Sequence, residues 1–458
     1  MDGRVVYPAS SLHRATRMAV TNSQGRTLAL AVATTTWMWL MTYAALLCSG
    51  LSLGNLLFAL AVLGLPAAGV MAGRQGSVID GAKVGLVAGS LNLLLVGSIV
   101  GGDAGQSVLT QGFAWAAGLL VGSTILGAVG GAIGRGFPDT SGEVDWRYRF
   151  FVVVSSLVFL MLVTGGLVTG MEAGLAVPDW PNSYGYNMLL YPLSEMTDPA
   201  NEGVFFEHAH RLTGMLIGLA NFLALIAAWR WSRSPLVRWL MVVVFLLVCV
   251  QGLLGGLRVT GHLTLSQDRE VLSPNLWIGV LHGVLGQAIF ALLCLIAGAM
   301  SRAWRSAATA LVARRADGRW CGVLVTAMCI QLGMGALYRH MSADAAMKEF
   351  ANHALMGHLG VALLVLAAAA IVGVRFETRR PRSSILQRCG RAILVLVSLQ
   401  ITLGVAALVL ILAAKPSEGI HVAEVILTTS HQANGALLLA ATLLATGWAM
   451  RLRGATIG

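Results

Sequence analysis

Four histidines in this chain share a spacing that suits one kind of chemistry. His210, His282, His353 and His431 are each followed four residues later by glycine, at Gly214, Gly286, Gly357 and Gly435, and no other histidine is. Residues four apart lie on one helix face, so glycine there removes the side chain that would stand over a flat ring held by the imidazole. Imidazole is a common axial ligand of heme iron, and a buried polar group among apolar helices is costly unless ligated or paired. The set of four predicts bis-histidine heme ligation, His210 with His282 and His353 with His431. For any one of them alone, a hydrogen bond to a neighbouring helix is an equal alternative.

Other polar residues sit close to this set. His358 lies five residues beyond His353 and lacks the glycine; it reads as a core histidine or a donor beside the site. His208, His262, His340 and His421 fall at outer helix ends or loops and read as wetted surface residues without a role. Glu207 precedes His210 by three residues in FFEHAHR, whereas the matching position of the second half is Phe350. A carboxylate there can act as a base or orient water, or simply favour the helix N-terminus. Arg258 and Arg339 are outer-end cations, suited to heme propionates or to snorkelling. Gly165, Gly255, Gly335 and Gly404, on the preceding helices, allow close approach of ring or backbone.

The elements that hold these residues must be membrane helices. Apolar residues make up 57% of the 458-residue chain and charged ones 11%, a balance foreign to a soluble protein of this length. Apolar runs near 28–50, 54–72, 82–101, 111–133, 149–171, 209–229, 237–258, 277–299, 320–340, 353–374, 390–414 and 430–450 predict about twelve spans. The runs are continuous, unlike the alternating segments of a barrel. The formal charge of +11 belongs to connections between spans, not to nucleic acid. Basic residues cluster at Arg147 and Arg149, at Arg230 to Arg238, at Arg302 to Arg319, at Arg375 to Arg391 and at Arg451 with Arg453. By the positive-inside rule both termini are cytoplasmic, and the connections near 172–208, 259–276, 341–352 and 415–429 are external. All four candidate ligands then lie near the outer face. The N-terminal segment reads as a retained anchor helix, and the six scattered cysteines offer no outer-loop disulfide.

After a linker at Gly134–Gly142 the chain repeats a helix pair. The first helix of each pair ends in a glycine-bearing stretch, TGGLVTG, QGLLGGLRV, QLGMGALYR or QITLGVAAL; the second carries a histidine. The expected fold is an all-α polytopic membrane protein with two tandem pseudo-symmetric four-helix bundles, residues 145–300 and 301–458. An accessory four-span module, residues 1–140, precedes them, rich in small residues that favour close helix packing.

The region from about 149 to 451 resembles the heme A synthase family. The resemblance rests on Glu207-x-x-His210-Arg211, GLAVPDWPNSYG at 174–185, LHGVLGQ at 281–287, the glutamine-initiated glycine stretches and SHQANG at 430–435. It implies a heme-dependent oxidoreductase that converts the C8 methyl of heme O to the formyl of heme A by successive hydroxylations with water-derived oxygen, for terminal oxidases. It places substrate heme at His210 and His282, with Gly214, Gly286 and Arg258. An electron-relaying heme b falls at His353 and His431, with Gly357, Gly435 and Arg339, and Glu207 takes the catalytic position. Implied partners are heme O synthase, the farnesyltransferase, and oxidase assembly factors; the N-terminal module lies outside the family pattern, and recruitment of the farnesyltransferase is a hypothesis for it. A homo-oligomer is possible, and the bacterial inner membrane is the expected location. The outer-loop cysteine pair of some family members is absent. The competing readings are a diheme b-type electron carrier without porphyrin chemistry and a heme transporter; the parallel repeats and one-sided histidines weigh against a midplane transport site.

Overall fold

The computed structural model describes residues 9–48, 50–100, 107–139, 144–198, 203–260, 276–306, 315–378, 384–413 and 421–452. The connection 261–275 with His262, part of the 134–142 linker, and Arg314, Arg379, Arg380, Arg382 and Arg453 lie outside them. In chain order the helices are α1 (Ala9–Leu47), α2 (Leu51–Arg74), α3 (Val78–Val100), α4 (Ser107–Gly134), α5 (Trp146–Gly170), α6 (Leu193–Met196), α7 (Val204–Trp231), α8 (Pro235–Thr260), α9 (Leu276–Met300), α10 (Arg302–Ser306), α11 (Arg315–Met341), α12 (Lys348–Glu377), α13 (Ser384–Ala413) and α14 (Val422–Arg451). All but α6 and α10 are long and apolar enough to cross a bilayer, so the protein is an all-α integral membrane protein. The sole strands among the described residues are β1 (Asn182–Ser183) and β2 (Tyr186–Asn187), a two-stranded ribbon.

The helices form because each apolar run must satisfy its backbone internally in lipid. Their ends outrun the runs where polar residues find partners. Helix α1 begins at Ala9, ahead of the expected residue 28, and within it Arg26, 5% exposed, ion-pairs with Asp80 at 3.3 Å.

The chain forms two compact units. The first comprises Met1–Val154, Ile226–Pro235 and Met300–Arg302. Here α3 and α4 meet backbone to backbone, since a Cβ at Gly85 would overlap the Ser123 carbonyl; Gly73 of α2 abuts Gly131 of α4 in the same way. The indole of Trp39 donates to Asn92 at 2.9 Å. The second unit comprises Ser155–Leu225, Leu236–Ala299 and Ala303–Gly458. Within it α11 packs on α12 and α14, and α13 on α12 and α14, closing a four-helix ring.

Candidate functional site

All the candidate site residues belong to the second unit. His210 and His282 each lie early in their helices, α7 and α9, whereas Gly165 and Gly255 lie late in α5 and α8. Each imidazole rests on the glycine of the preceding helix: a Cβ at Gly165 would stand 3.2 Å from His210 Cε1, and one at Gly255 would stand 3.3 Å from His282 Cε1. The second half repeats this, with Gly404 under His431 (2.8 Å) and Gly335 under His358 (2.9 Å).

The residue opposite His431 is therefore His358, not the expected His353. The His358 and His431 rings have centroids 6.1 Å apart, whereas His353 is exposed. Five helical residues turn through about 500°, leaving the two side chains roughly 140° apart, so both cannot face one partner. The reason the spacing rule chose His353 lies in what the glycines accommodate. Gly286 and Gly435 each receive the amide of a glutamine on the preceding helix, Gln251 and Gln400, at 3.3 Å. Gly214 receives Met161 at 3.5 Å, and Gly357 receives Met334 at 3.3 Å. The motif is a reciprocal clasp, in which Gln-x-x-x-Gly on one helix runs antiparallel to His-x-x-x-Gly on the next. At His358 the fourth following residue is Ala362, which hid the pair. A different signal marks it: glutamine and histidine are 31 residues apart in Gln251/His282 and Gln400/His431 and 27 apart in Gln331/His358, but Gln331 to His353 is 353 − 331 = 22.

His210 and His358 fit a ligated metal at their Nε2 atoms. The Thr164 hydroxyl donates to the Met161 carbonyl at 3.0 Å, so its contact with His210 at 3.3 Å is an Nδ1–H donating to Oγ1. His358 Nδ1–H likewise donates to the Gln331 carbonyl at 3.0 Å. Holding the proton on Nδ1 leaves the Nε2 lone pair for a metal, the arrangement usual for ligating histidines. A metal–imidazole bond of about 2 Å on each side, plus half of each ring, sets centroids roughly 6 Å apart, which the His358/His431 separation matches. Gln331 Nε2 donates to His358 Nε2 at 3.0 Å, and Gln400 Nε2 lies 3.2 Å from His431 Nε2; both amides must swing aside for a metal to bind.

The clasp makes a prediction. Gly335→Ala places a methyl against the His358 ring and will displace it, whereas Gly333→Ala, where a Cβ meets nothing within 4 Å, will be silent. Heme content of the purified variants decides, with equal retention by both counting against the clasp.

Glu207 is 4% exposed and both carboxylate oxygens are engaged. Oε2 accepts the Val177 backbone N–H at 2.8 Å, and Oε1 accepts from Arg211. Arg211 also donates to the carbonyls of Asp179 (2.7 Å), Val177 (2.9 Å) and Asn182 (3.0 Å). This pair thus latches the 174–185 loop to the turn that bears His210. The loop is shaped by Asp179, whose carboxylate accepts the N–H groups of Tyr184 and Gly185 at 2.7 and 2.8 Å. Both of those residues have positive φ, 51° and 80°, as a tight two-residue hairpin turn requires. Trp180, before the cis Pro181, fills the space left by Gly256 on α8.

His208, expected to be wetted, is fully buried; its ring contacts the Ser183 hydroxyl at 3.1 Å and lies 4.8 Å from the Tyr191 ring. Burial, then the neighbouring Tyr184 phenol, pushes Tyr191 up to about 12, so its phenol stays uncharged at neutral pH. His340 is not a wetted residue either: it lies half-buried against Gly279 and Gly283 of α9. Arg339 donates to the Thr169 carbonyl of α5 at 2.9 Å, and the Arg258 guanidinium stands over Gly174. All six cysteines are free thiols.

Fold and site together define a helical membrane protein with paired intramembrane histidines at one end of its helices. Residues 148–357 match the family model of COX15-CtaA, cytochrome oxidase assembly protein, and the chain is similar to proteins named heme A synthase. The match ends one residue before His358. A Heme A synthase of Beijerinckia indica subsp. indica is 28% identical over 211 residues, 42% of this chain and 57% of that protein. Heme A synthases of Bacillus cereus and Bacillus anthracis are 29% identical over 164 residues, 35% of this chain and 46% of theirs. The chain thus spans about half the length of the curated relatives it matches.

Proposed function

We propose that the second unit binds two hemes, one between His210 and His282 and one between His358 and His431, and that the protein oxidises heme O to heme A in a bacterial inner membrane. The two halves, 145–300 and 301–458, each supply one pair. The observation that carries this reading is the fourfold repeat of an imidazole seated on a glycine of the preceding helix, in a chain whose matched relatives are named heme A synthases. Conversion of the methyl to the formyl consumes water and releases electrons and protons. Heme b at the second pair would supply a relay for the electrons toward an external acceptor. The chain's own residues do the rest: His210 and His282 hold the substrate, and Glu207 with Arg211 keeps the 174–185 loop over it. For Glu207 to accept a proton, Arg211 must first release Oε1.

The engagement of both Glu207 oxygens also suits a second reading, a diheme electron carrier, in which the carboxylate only holds the loop. Expression with a heme O supply, followed by extraction and mass analysis of the porphyrins, separates the two. Heme A is expected from the wild type, with unreacted or hydroxylated heme O from His210→Ala. Unmodified heme alone from the wild type would establish the carrier.

A further inference from the structure

Cationic groups from both halves of the second unit converge beside the first histidine pair. The space left by the missing side chain of Gly279 is approached from two sides, by His340 Nδ1 (3.1 Å from a Cβ placed there) and by Arg258 Nε (3.3 Å). His340 Nε2 stands 3.6 Å from the corresponding point at Gly283, the residue after His282. The terminal nitrogens of Arg258 reach the Gly174 position at 3.2 and 3.3 Å. Arg339, next to His340, extends across to the end of α5 and bonds the Thr169 carbonyl. Glycine at 279 and 283, one helical turn apart, thus makes a cradle on α9 for an imidazole carried by α11.

Among the described residues the one carboxylate beside this cluster is Glu207, which is shared with Arg211. Among the described residues neither Arg258 nor Arg339 ion-pairs with a carboxylate. The charged neighbours of Arg258 are Glu207 and Arg339, and Glu207 is already bonded to Arg211. Two guanidinium groups this close in a membrane helix bundle are costly unless an anion joins them, and guanidinium forks suit carboxylates in particular.

We propose that Arg258, Arg339 and His340 form a single anion site that takes the carboxylates of the porphyrin held by His210 and His282. Two of its three donors come from the second half, so that half completes the substrate site of the first. This rests on the reading that the histidine pairs bind heme. It gives His340 a ligand-binding role, and it turns Arg339 toward the substrate heme instead of the relay heme.

The test compares binding of iron protoporphyrin and its dimethyl ester, which lacks the carboxylate charges, to the full-length protein carrying both His358→Ala and His431→Ala, so that the first pair is read alone. The free acid is expected to bind about tenfold to a hundredfold tighter than the ester, the range of charge-assisted hydrogen bonds. Adding Arg258→Gln or His340→Gln will remove most of that preference by weakening the free acid about tenfold, with the ester unchanged. The two will be less than additive when combined, as groups sharing one ligand are. Equal binding of acid and ester by the protein without these additions would overturn the proposal, as would variants that lose acid and ester alike. Turnover does not enter the readout: acid preference here, with no heme A from the wild type supplied with heme O, would sustain the anion site and reject the enzyme reading.

Discussion

His358→Ala will abolish the low-spin signal of the second heme, and His353→Ala will leave it intact. The two substitutions lie five residues apart on α12, yet the first removes the imidazole opposite His431 and the second removes an exposed one. Loss of an axial ligand leaves iron five-coordinate and high-spin, so about half of the low-spin absorbance of a two-heme protein should go in His358→Ala. The His431→Ala variant should look the same, and combining it with His358→Ala should add little, because either loss already breaks the pair. Absorption spectra of the purified, heme-replete variants are sufficient. A normal spectrum in His358→Ala with loss in His353→Ala would restore the pairing expected from glycine spacing and refute the clasp geometry.

Arg211→Ala will be at least as damaging as any change at Glu207. The arginine ties one carboxylate and three loop carbonyls to α7. The side chains of the pair are only 8% and 5% exposed, so deleting one charge strands the other, at about 3–5 kcal/mol for a buried pair. The 174–185 loop should come free, giving protease cleavage there and loss of heme A formation. Glu207→Gln keeps the shape and can still accept the Val177 N–H, so it should retain part of the loop protection. Should Arg211→Ala form heme A normally while Glu207→Gln forms none, the carboxylate acts on its own as a base, and the latch is secondary.

The twelve spans were legible in the sequence because the length of an apolar run is set by the bilayer and needs no tertiary information. Their ends were less so. Helix α1 begins at Ala9 instead of 28, and the burial of Arg26 within it depends on Asp80 of another helix. Three of the four clasp histidines could be read from glycine four residues on, although that glycine serves a side chain from the preceding helix and not a ring. The fourth, His358, required the glutamine-to-histidine separation, a property of the helix pair that no single helix displays. The burial of His208 and the cradle of His340 depend on Ser183 and on Gly279 with Gly283, contacts that only the folded chain brings together.

The most direct check is heme stoichiometry of the full-length wild-type protein combined with electron paramagnetic resonance of its ferric state. Two irons per chain, both low-spin with bis-imidazole g values, are predicted. A single iron per chain, or a high-spin ferric signal from wild-type protein saturated with heme, would contradict two histidine pairs.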